Sequence, residues 1–252
     1  MSATTTLLRA ALDRDPARPL LTYYDDTTGE RTELSATTLD NWVAKTANLI
    51  RDDLDVQPGD RVAVLLPAHW QTVAVLLAIW AVGAVAGGEP AGAVATFCDP
   101  GRIGLAGGGG EVVALSLAPL GRGLDTVPPG VVDYAVEVRA HADRFAPTAA
   151  VGGDSPASDQ GPGMLSGPAA VARATARADE LGLRAGDRVL STLPWDGPTD
   201  WVDGWLAPFV AGASLVQCVG AADAEGLARR AAAERVTATI GTTLPEVRGL
   251  SR

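Results

Sequence analysis

An internal repeat constrains the fold of this chain more than any other feature of the sequence. The first copy begins at Gly59-Asp60-Arg61-Val62 and ends at Leu66-Pro67, and the second begins at Gly186-Asp187-Arg188-Val189 and ends at Leu193-Pro194. Corresponding residues are 127 positions apart. In each copy a glycine lets the chain reverse, an apolar strand follows, and a proline ends that strand. A helix and a Gly-Ala pair come next, so each copy predicts one β-α-β unit.

The remaining segments alternate short apolar strands with amphipathic helices. Ser35 is a predicted N-cap for a helix over 36–53, and Pro168 suits the first turn of another helix. This alternation predicts an α/β fold of layered β-α-β units in two pseudo-symmetric halves. We divide the chain into a first α/β half with an N-terminal hairpin (1–150), a Gly/Pro/Ser-rich loop (151–166), and a second α/β half (167–252) that ends in a helix.

Composition excludes several classes of partner. The chain has 30 acidic and 20 basic residues and a net charge of −10. We therefore expect no nucleic-acid binding, which needs clustered cations, and no binding to an anionic membrane surface. The uncharged stretch 71–88 is broken by Gly83 and predicts a buried helix and strand, not a membrane span. Only two cysteines and no N-terminal secretion signal predict a cytoplasmic location.

The repeated segments resemble the acyl-CoA synthetase and adenylate-forming superfamily, the AMP-binding enzymes. Residues 59–85 are similar to the opening subdomain of that family, and residues 193–213 are similar to the next one. Residues 234–241 are similar to the segment after that. The similarity covers about the first half of a family member, and it implies the fold of the N-terminal subdomains.

The resemblance also shows which chemistry is missing. The family's phosphate loop is rich in Ser, Thr and Gly and ends in Pro-Lys-Gly, and by position it corresponds to residues 155–163. That segment has no lysine, carries Asp159, and contains two prolines that remove N–H donors. The only lysine of the chain is Lys45. We expect a solvated linker in place of a phosphate-binding loop.

Two further parts of the family's machinery are absent from the sequence. Asp196 and Gly197 hold the positions where the family usually has an aromatic residue and a histidine. The family's Tyr-Gly-x-Thr-Glu segment and its C-terminal domain, with a catalytic lysine, have no counterpart here. Adenylyl transfer depends on positioned cations that absorb transition-state charge. We therefore expect no adenylating activity.

The candidate ligand-binding residues lie in the second half of the chain. They are Trp195, Asp196, Asp200, Gly241 and Thr242. We assign no catalytic residue and no metal ligand. Two alternatives stay open: the tryptophans at 195, 201 and 205 could simply fill the core, and the aspartates at 196, 200 and 203 could mark a charged helix start.

Three functions remain open at this stage. The first is a non-catalytic AMP-binding-like protein that binds a small molecule or a protein partner and needs no cofactor. The second is an AMP-dependent synthetase-like enzyme of altered chemistry that still binds ATP, AMP or a CoA ester. The third is a structural module that forms a homodimer, because a truncated scaffold would leave apolar surface uncovered.

Overall fold

The strands form two sheets in the computed structural model, which describes residues 3–108, 110–147, 163–220 and 223–250. The strands in chain order are β1 (Pro19–Asp25), β2 (Glu30–Ser35), β3 (Arg61–Leu65), β4 (Val85–Gly87), β5 (Ala95–Cys98), β6 (Glu111–Ala114), β7 (Val131–Asp133), β8 (Met164–Ser166), β9 (Arg188–Ser191), β10 (Ser214–Val219), β11 (Ala238–Ile240) and β12 (Arg248–Leu250). The α-helices are α1 (Ala3–Arg14), α2 (Ala36–Asp52), α3 (Trp70–Ala81), α4 (Tyr134–Glu137), α5 (Gly167–Glu180), α6 (Pro198–Trp201), α7 (Ala207–Val210) and α8 (Ala224–Ala233). A π-helical segment, Val202–Leu206, joins α6 to α7.

Each sheet has six strands within the described residues. The first sheet has the order β7-β6-β5-β3-β4-β8, and the second has the order β12-β11-β9-β10-β1-β2. Neighbouring strands are parallel except β4 with β8 and β1 with β2. Each sheet therefore has a parallel centre and an antiparallel strand at one edge. This arrangement confirms the predicted α/β fold of layered β-α-β units.

The two copies of the repeat fold in the same way. Gly59 and Gly186 have φ angles of 93° and 91°, which favour glycine. Their backbone N–H groups donate to the carbonyls of Gly83 and Gly212, at 2.9 and 3.0 Å. In both turns the aspartate after the glycine accepts a hydrogen bond from an upstream backbone N–H, at 2.8 Å. The shared hydrogen-bond pattern confirms the internal duplication.

The sheets do not follow the predicted division of the chain. The N-terminal hairpin β1–β2, which the sequence division groups with the first half, extends the second sheet, where Leu21 is paired with Leu215. Conversely, Met164–Ser166, which we assigned to a loop, forms β8 at the edge of the first sheet. Gly87 leaves room for the Met164 side chain across this pair, since a Cβ atom there would lie 2.1 Å from the Met164 sulfur.

The C-terminal segment differs from the prediction. The terminal helix that we expected is wrong: residues 248–250 form the parallel strand β12 beside β11. Gly241, with a φ of 79°, turns the chain after β11, and Pro245 lacks the N–H that a helix interior needs. The side chain of Arg248 then fixes the strand by donating to the Gly182 carbonyl at 2.8 Å.

A continuous apolar core joins the two sheets. All twelve residues of α3 are buried, which places the uncharged stretch of the sequence in the interior. Trp80 of α3 stacks on Trp205 of the π-helical segment with ring centroids 6.0 Å apart. Among the helices of the described residues, none combines the length and the apolar character needed to cross a membrane.

Candidate functional site

The carboxyl ends of four parallel strands meet at one edge of the second sheet. These strands are β1, β9, β10 and β11. In open α/β sheets, small molecules bind in the crevice outside this edge. The segments that follow the strands supply its walls, beginning at Asp26, Thr192, Gly220 and Gly241. This edge of the second sheet is called the carboxyl edge.

A cavity of about 250 Å³ opens at the carboxyl edge. Its apolar wall comes from Leu193, Pro194, Val219 and Leu227, and its polar wall comes from Asp26, Thr192 and Cys218. Binding sites for drug-sized ligands are larger, at roughly 300–1,000 Å³. The cavity therefore suits a small, largely apolar ligand with one or two hydrogen-bonding groups.

The one carboxylate of this wall is already neutralised. Asp26 accepts two hydrogen bonds from the guanidinium of Arg230, at 2.6 and 3.2 Å. Arg230 in turn lies over the ring of Tyr24, with its guanidinium carbon 4.0 Å from the ring centroid. A bidentate pair that also stacks on an aromatic ring is held in one geometry. Neither charge is therefore free to hold a charged ligand.

Cys218 and Thr192 supply the neutral hydrogen-bonding groups. Burial raises the pKa of the Cys218 thiol, and the nearby guanidinium of Arg230 only partly offsets this. The thiol is therefore protonated at neutral pH and is a poor nucleophile. The cavity is equipped to bind a ligand by shape and weak hydrogen bonds, and its cysteine is not activated for covalent chemistry.

Two glycines let the segments at this edge approach one another. A Cβ atom on Gly220 would lie 3.2 Å from Asp26, so the hairpin turn packs directly on the end of β10. A Cβ atom on Gly241 would lie 2.8 Å from the Leu193 side chain and 2.9 Å from the Thr192 hydroxyl. Gly241 thus packs directly against Thr192 and Leu193. The half-buried Thr242 follows it in the sequence.

The other sequence-predicted site residues lie beside this cavity and do not line it. Trp195 is 1% exposed and packs against Gly204, and its indole N–H has no partner among the described residues. The backbone N–H of Asp196 donates to the carboxylate of Asp200 at 3.3 Å. Trp201 and Trp205 are fully buried as well, so all three tryptophans of this region belong to the core.

Sequence reasoning predicted none of the described residues that line the cavity; Asp26, Cys218 and Leu227 are three examples. Asp26 comes from the N-terminal hairpin, and Leu227 comes from α8. Cys218 is near the carboxyl end of β10. It could have been predicted as a site residue only from the rule that ligands bind at the carboxyl ends of parallel strands. The contribution of the hairpin depended on a strand pairing that the sequence does not reveal.

The described residues offer no site for a metal ion. No group of three or more His, Cys, Asp or Glu side chains in them is arranged to hold one. Asp203, near Asp196 and Asp200 in sequence, is paired with Arg177 at 2.7 Å. Most of the segment that corresponds to the family's phosphate loop, residues 155–162, lies outside the described residues.

The single lysine of the chain has a structural role. Lys45 on α2 donates to the His141 carbonyl at 2.6 Å and is paired with Asp143 at 2.9 Å. These contacts fasten the 141–143 segment to α2. Lys45 therefore does not supply a cation to the carboxyl edge.

In the first sheet, a buried histidine lies shortly after the carboxyl end of strand β3. His69 follows β3, is 1% exposed, and caps α3 because its Nδ1 accepts from the backbone N–H of Gln71 at 3.2 Å. Its ring lies 4.6 Å from the ring of Tyr23. Since Nδ1 accepts, the neutral ring carries its proton on Nε2, which lies 3.9 Å from the Glu30 carboxylate and is too distant for a hydrogen bond.

Acidification should weaken this contact between the hairpin and α3. Burial lowers the pKa of His69 below its usual 6.5, although the Glu30 carboxylate acts in the opposite direction. The unfolded chain therefore takes up a proton near pH 6.5 before the folded chain does, and stability falls as the pH drops below this value. We expect the free energy of unfolding to fall by up to about 1.4 kcal/mol per pH unit between pH 6.5 and 5.5, measured by urea unfolding.

A His69→Asn variant provides the control for this pH dependence. Asparagine is a good N-cap and keeps an acceptor for Gln71, but it does not titrate. Burial raises the pKa of Glu30, but His69 and the hydrogen bonds from Thr32 and Trp70 outweigh it and leave that pKa below 4.5. The contribution of Glu30 is therefore lost only at lower pH. An equal slope in His69→Asn would contradict the assignment.

Comparison with known proteins agrees with this geometry. Residues 8–87 match the AMP-binding enzyme family. Three solved structures share the fold: an acyl-CoA synthetase of Brucella canis (TM-score 0.72, 18% identity), an acetoacetyl-CoA synthetase from Streptomyces lividans (0.71, 22%) and a benzoate CoA ligase from Burkholderia xenovorans (0.69, 18%). They match 96%, 95% and 96% of this chain, which spans 47%, 42% and 50% of theirs.

The two sheets therefore have an acyl-CoA synthetase-like fold, and the chain spans about half the length of these solved structures. A TIGR03089 family protein of Mycobacterium tuberculosis is 46% identical, over 94% of this chain and 99% of its own length. The chain belongs to the TIGR03089 family.

Proposed function

We propose that this protein binds a small uncharged ligand at the carboxyl edge and does not adenylate a carboxylic acid. The observation that carries the proposal is the wall of the cavity. None of the described side chains that line it is basic, and its one carboxylate is paired with Arg230. A phosphate or carboxylate ligand would find no basic side chain in the described wall. An apolar ligand with an amide or hydroxyl group would find Thr192, Cys218 and an apolar wall.

The absence of adenylation follows from the same charges. Transfer of an adenylyl group needs cations held close to the phosphates. Lys45 forms an ion pair with Asp143. The segment that corresponds by resemblance to the family's phosphate loop contains no lysine. We expect no exchange of pyrophosphate into ATP with a panel of aliphatic and aromatic carboxylic acids. Turnover above background with any acid would overturn this part of the proposal.

Ligand binding is tested with a variant that fills the cavity. Leu227→Trp places an indole in the space, whereas Ala228→Trp places the same ring on the exposed face of α8 and is the matched control. We expect pantetheine or short fatty amides, at 100 times their dissociation constant, to stabilise the wild type and the control by about 2.7 kcal/mol. Leu227→Trp should show no ligand-dependent rise in melting temperature.

The outcome of the same screen separates binding of an uncharged ligand from an enzyme that retains a nucleotide site. A rise in melting temperature with ATP, AMP or a CoA ester, but not with pantetheine, would favour an enzyme of altered chemistry that retains a nucleotide site. Stabilisation of Leu227→Trp equal to that of Ala228→Trp would place the ligand elsewhere. No stabilisation by any of these compounds would contradict the proposed binding function.

A further inference from the structure

A second cavity lies at the opposite, amino edge of the second sheet. Its volume is about 270 Å³, and it lies where β1, β9 and β11 begin and α8 ends. Charged side chains dominate its wall. They are Arg18, Glu33, Arg188, Glu234 and Arg235. The cavity is therefore of a different chemical kind from the one at the carboxyl edge.

Both carboxylates of this wall already have arginine partners. Glu234 is paired with Arg188 and, at 2.9 Å, with Arg31, and it also accepts from the Tyr24 hydroxyl at 2.6 Å. Burial alone would raise the pKa of Glu234, but these hydrogen bonds outweigh it and lower that pKa from 4.5 to about 2. Glu33 is paired with Arg31 at 2.7 Å. Neither glutamate is available to neutralise a further cation.

Two arginines of the wall remain without a carboxylate. Arg18 and Arg235 are exposed, and in the described part of the chain their guanidinium groups have no hydrogen bond or ion pair. In the described residues, the three arginines of the wall and Arg31, the partner of Glu33, outnumber the two glutamates. This local excess of positive charge occurs in a chain whose net charge is −10.

The backbone of Arg235 makes this residue suitable for a substitution that tests its side chain. Arg235 follows the last turn of α8 with a φ of 54°, a left-handed conformation that is usually filled by glycine at this position of a helix end. An arginine in this conformation is strained. Because glycine favours this conformation, a glycine substitution removes the Arg235 side chain without cost to the backbone.

We propose that the amino edge binds a small oxyanion, a phosphate or a carboxylate, between Arg18 and Arg235. Guanidinium groups match the geometry of both kinds of anion through paired N–H donors. Arg188 lies at the base of the same cavity and adds positive charge, although Glu234 offsets it. This site is separate from the carboxyl edge and does not depend on the ligand proposed there.

The test compares the wild type with Arg235→Gly. Glycine relieves the strain at this position, so the variant should melt at or above the wild-type temperature without ligand, and loss of binding cannot be attributed to unfolding. Melting temperature and calorimetry are followed with inorganic pyrophosphate, phosphate or citrate, at constant ionic strength set with sodium chloride. We expect binding in the wild type and in the control Arg173→Ala, an exposed arginine of α5.

The expected loss is at least tenfold in affinity for Arg235→Gly and likewise for Arg18→Ala. Pyrophosphate and phosphate together identify a phosphate site, and citrate alone identifies a carboxylate site; either result supports the proposal. No binding of any of the three anions to the wild type would overturn it. Equal affinity in Arg235→Gly and the wild type would also overturn it.

Discussion

Replacing Arg188 by methionine should lower the free energy of unfolding by about 3 kcal/mol, the lower end of what breaking a buried ion pair costs. Arg188 is 9% exposed, and its guanidinium donates to the Glu234 carboxylate, to the Glu234 carbonyl at 2.8 Å and to the Thr22 hydroxyl at 2.9 Å. Methionine would leave Glu234 without its most buried partner. Tyr24 and Arg31 still contact the carboxylate, which limits the loss.

The internal duplication supplies a control at the equivalent position. Arg61 has no carboxylate partner among the described residues, its buried Nε has no hydrogen bond, and its Nη2 lies 3.9 Å from the Met164 sulfur. Arg61→Met removes a buried donor that is already unsatisfied, so we expect a change within about 1 kcal/mol. Urea unfolding of both variants at pH 7 makes the comparison. Equal losses would show that the ion pair with Glu234 contributes nothing specific.

Gly204→Ala should destabilise the protein by about 3 kcal/mol, the upper end of the usual penalty for overpacking a core. The new Cβ would stand 2.1 Å from Nε1 and 2.4 Å from Cδ1 of Trp195, whose ring is 1% exposed and packed in the core. The gain in helix propensity from glycine to alanine, about 1 kcal/mol, is too small to offset this contact. Thermal and urea unfolding measure the loss.

Two further variants isolate the cause of that loss. Gly104→Ala has nothing within 4 Å of the new Cβ and should change stability little. Trp195→Ala removes the clashing ring, so Gly204→Ala should be less harmful in that background. A double-mutant cycle gives the coupling between the two positions. Additive losses would contradict a direct clash.

The sequence predicted the parts of the fold that local chemistry decides. The turns at Gly59 and Gly186 and the cap at Ser35, which accepts from the Thr38 N–H, are set by a few adjacent residues. The strand β5 was not predicted because it has only four residues, all of them buried, so it shows no alternation. The exchange of β8 and of the hairpin between the sheets depends on pairings between distant segments, which no local pattern encodes.

The candidate site was predictable only in part for the same reason. The resemblance drew attention to Leu193-Pro194 and to Gly241, which do lie together at the carboxyl edge. Whether Trp195, Asp196, Asp200 and Thr242 contact a ligand stays a prediction. Asp26 and Arg230 meet only because the hairpin packs beside α8, so their pairing becomes visible after the sheets are assembled.

The position of the N-terminal hairpin determines the order in which the protein can fold. Strand β1 leaves the ribosome early, yet its parallel partner β10 is made almost 200 residues later, since Leu21 pairs with Leu215. Contacts so distant in sequence form slowly and leave unpaired strand edges exposed meanwhile. A cut anywhere between the two halves would therefore yield fragments that must associate with each other to regain the native structure, and neither fragment should fold alone.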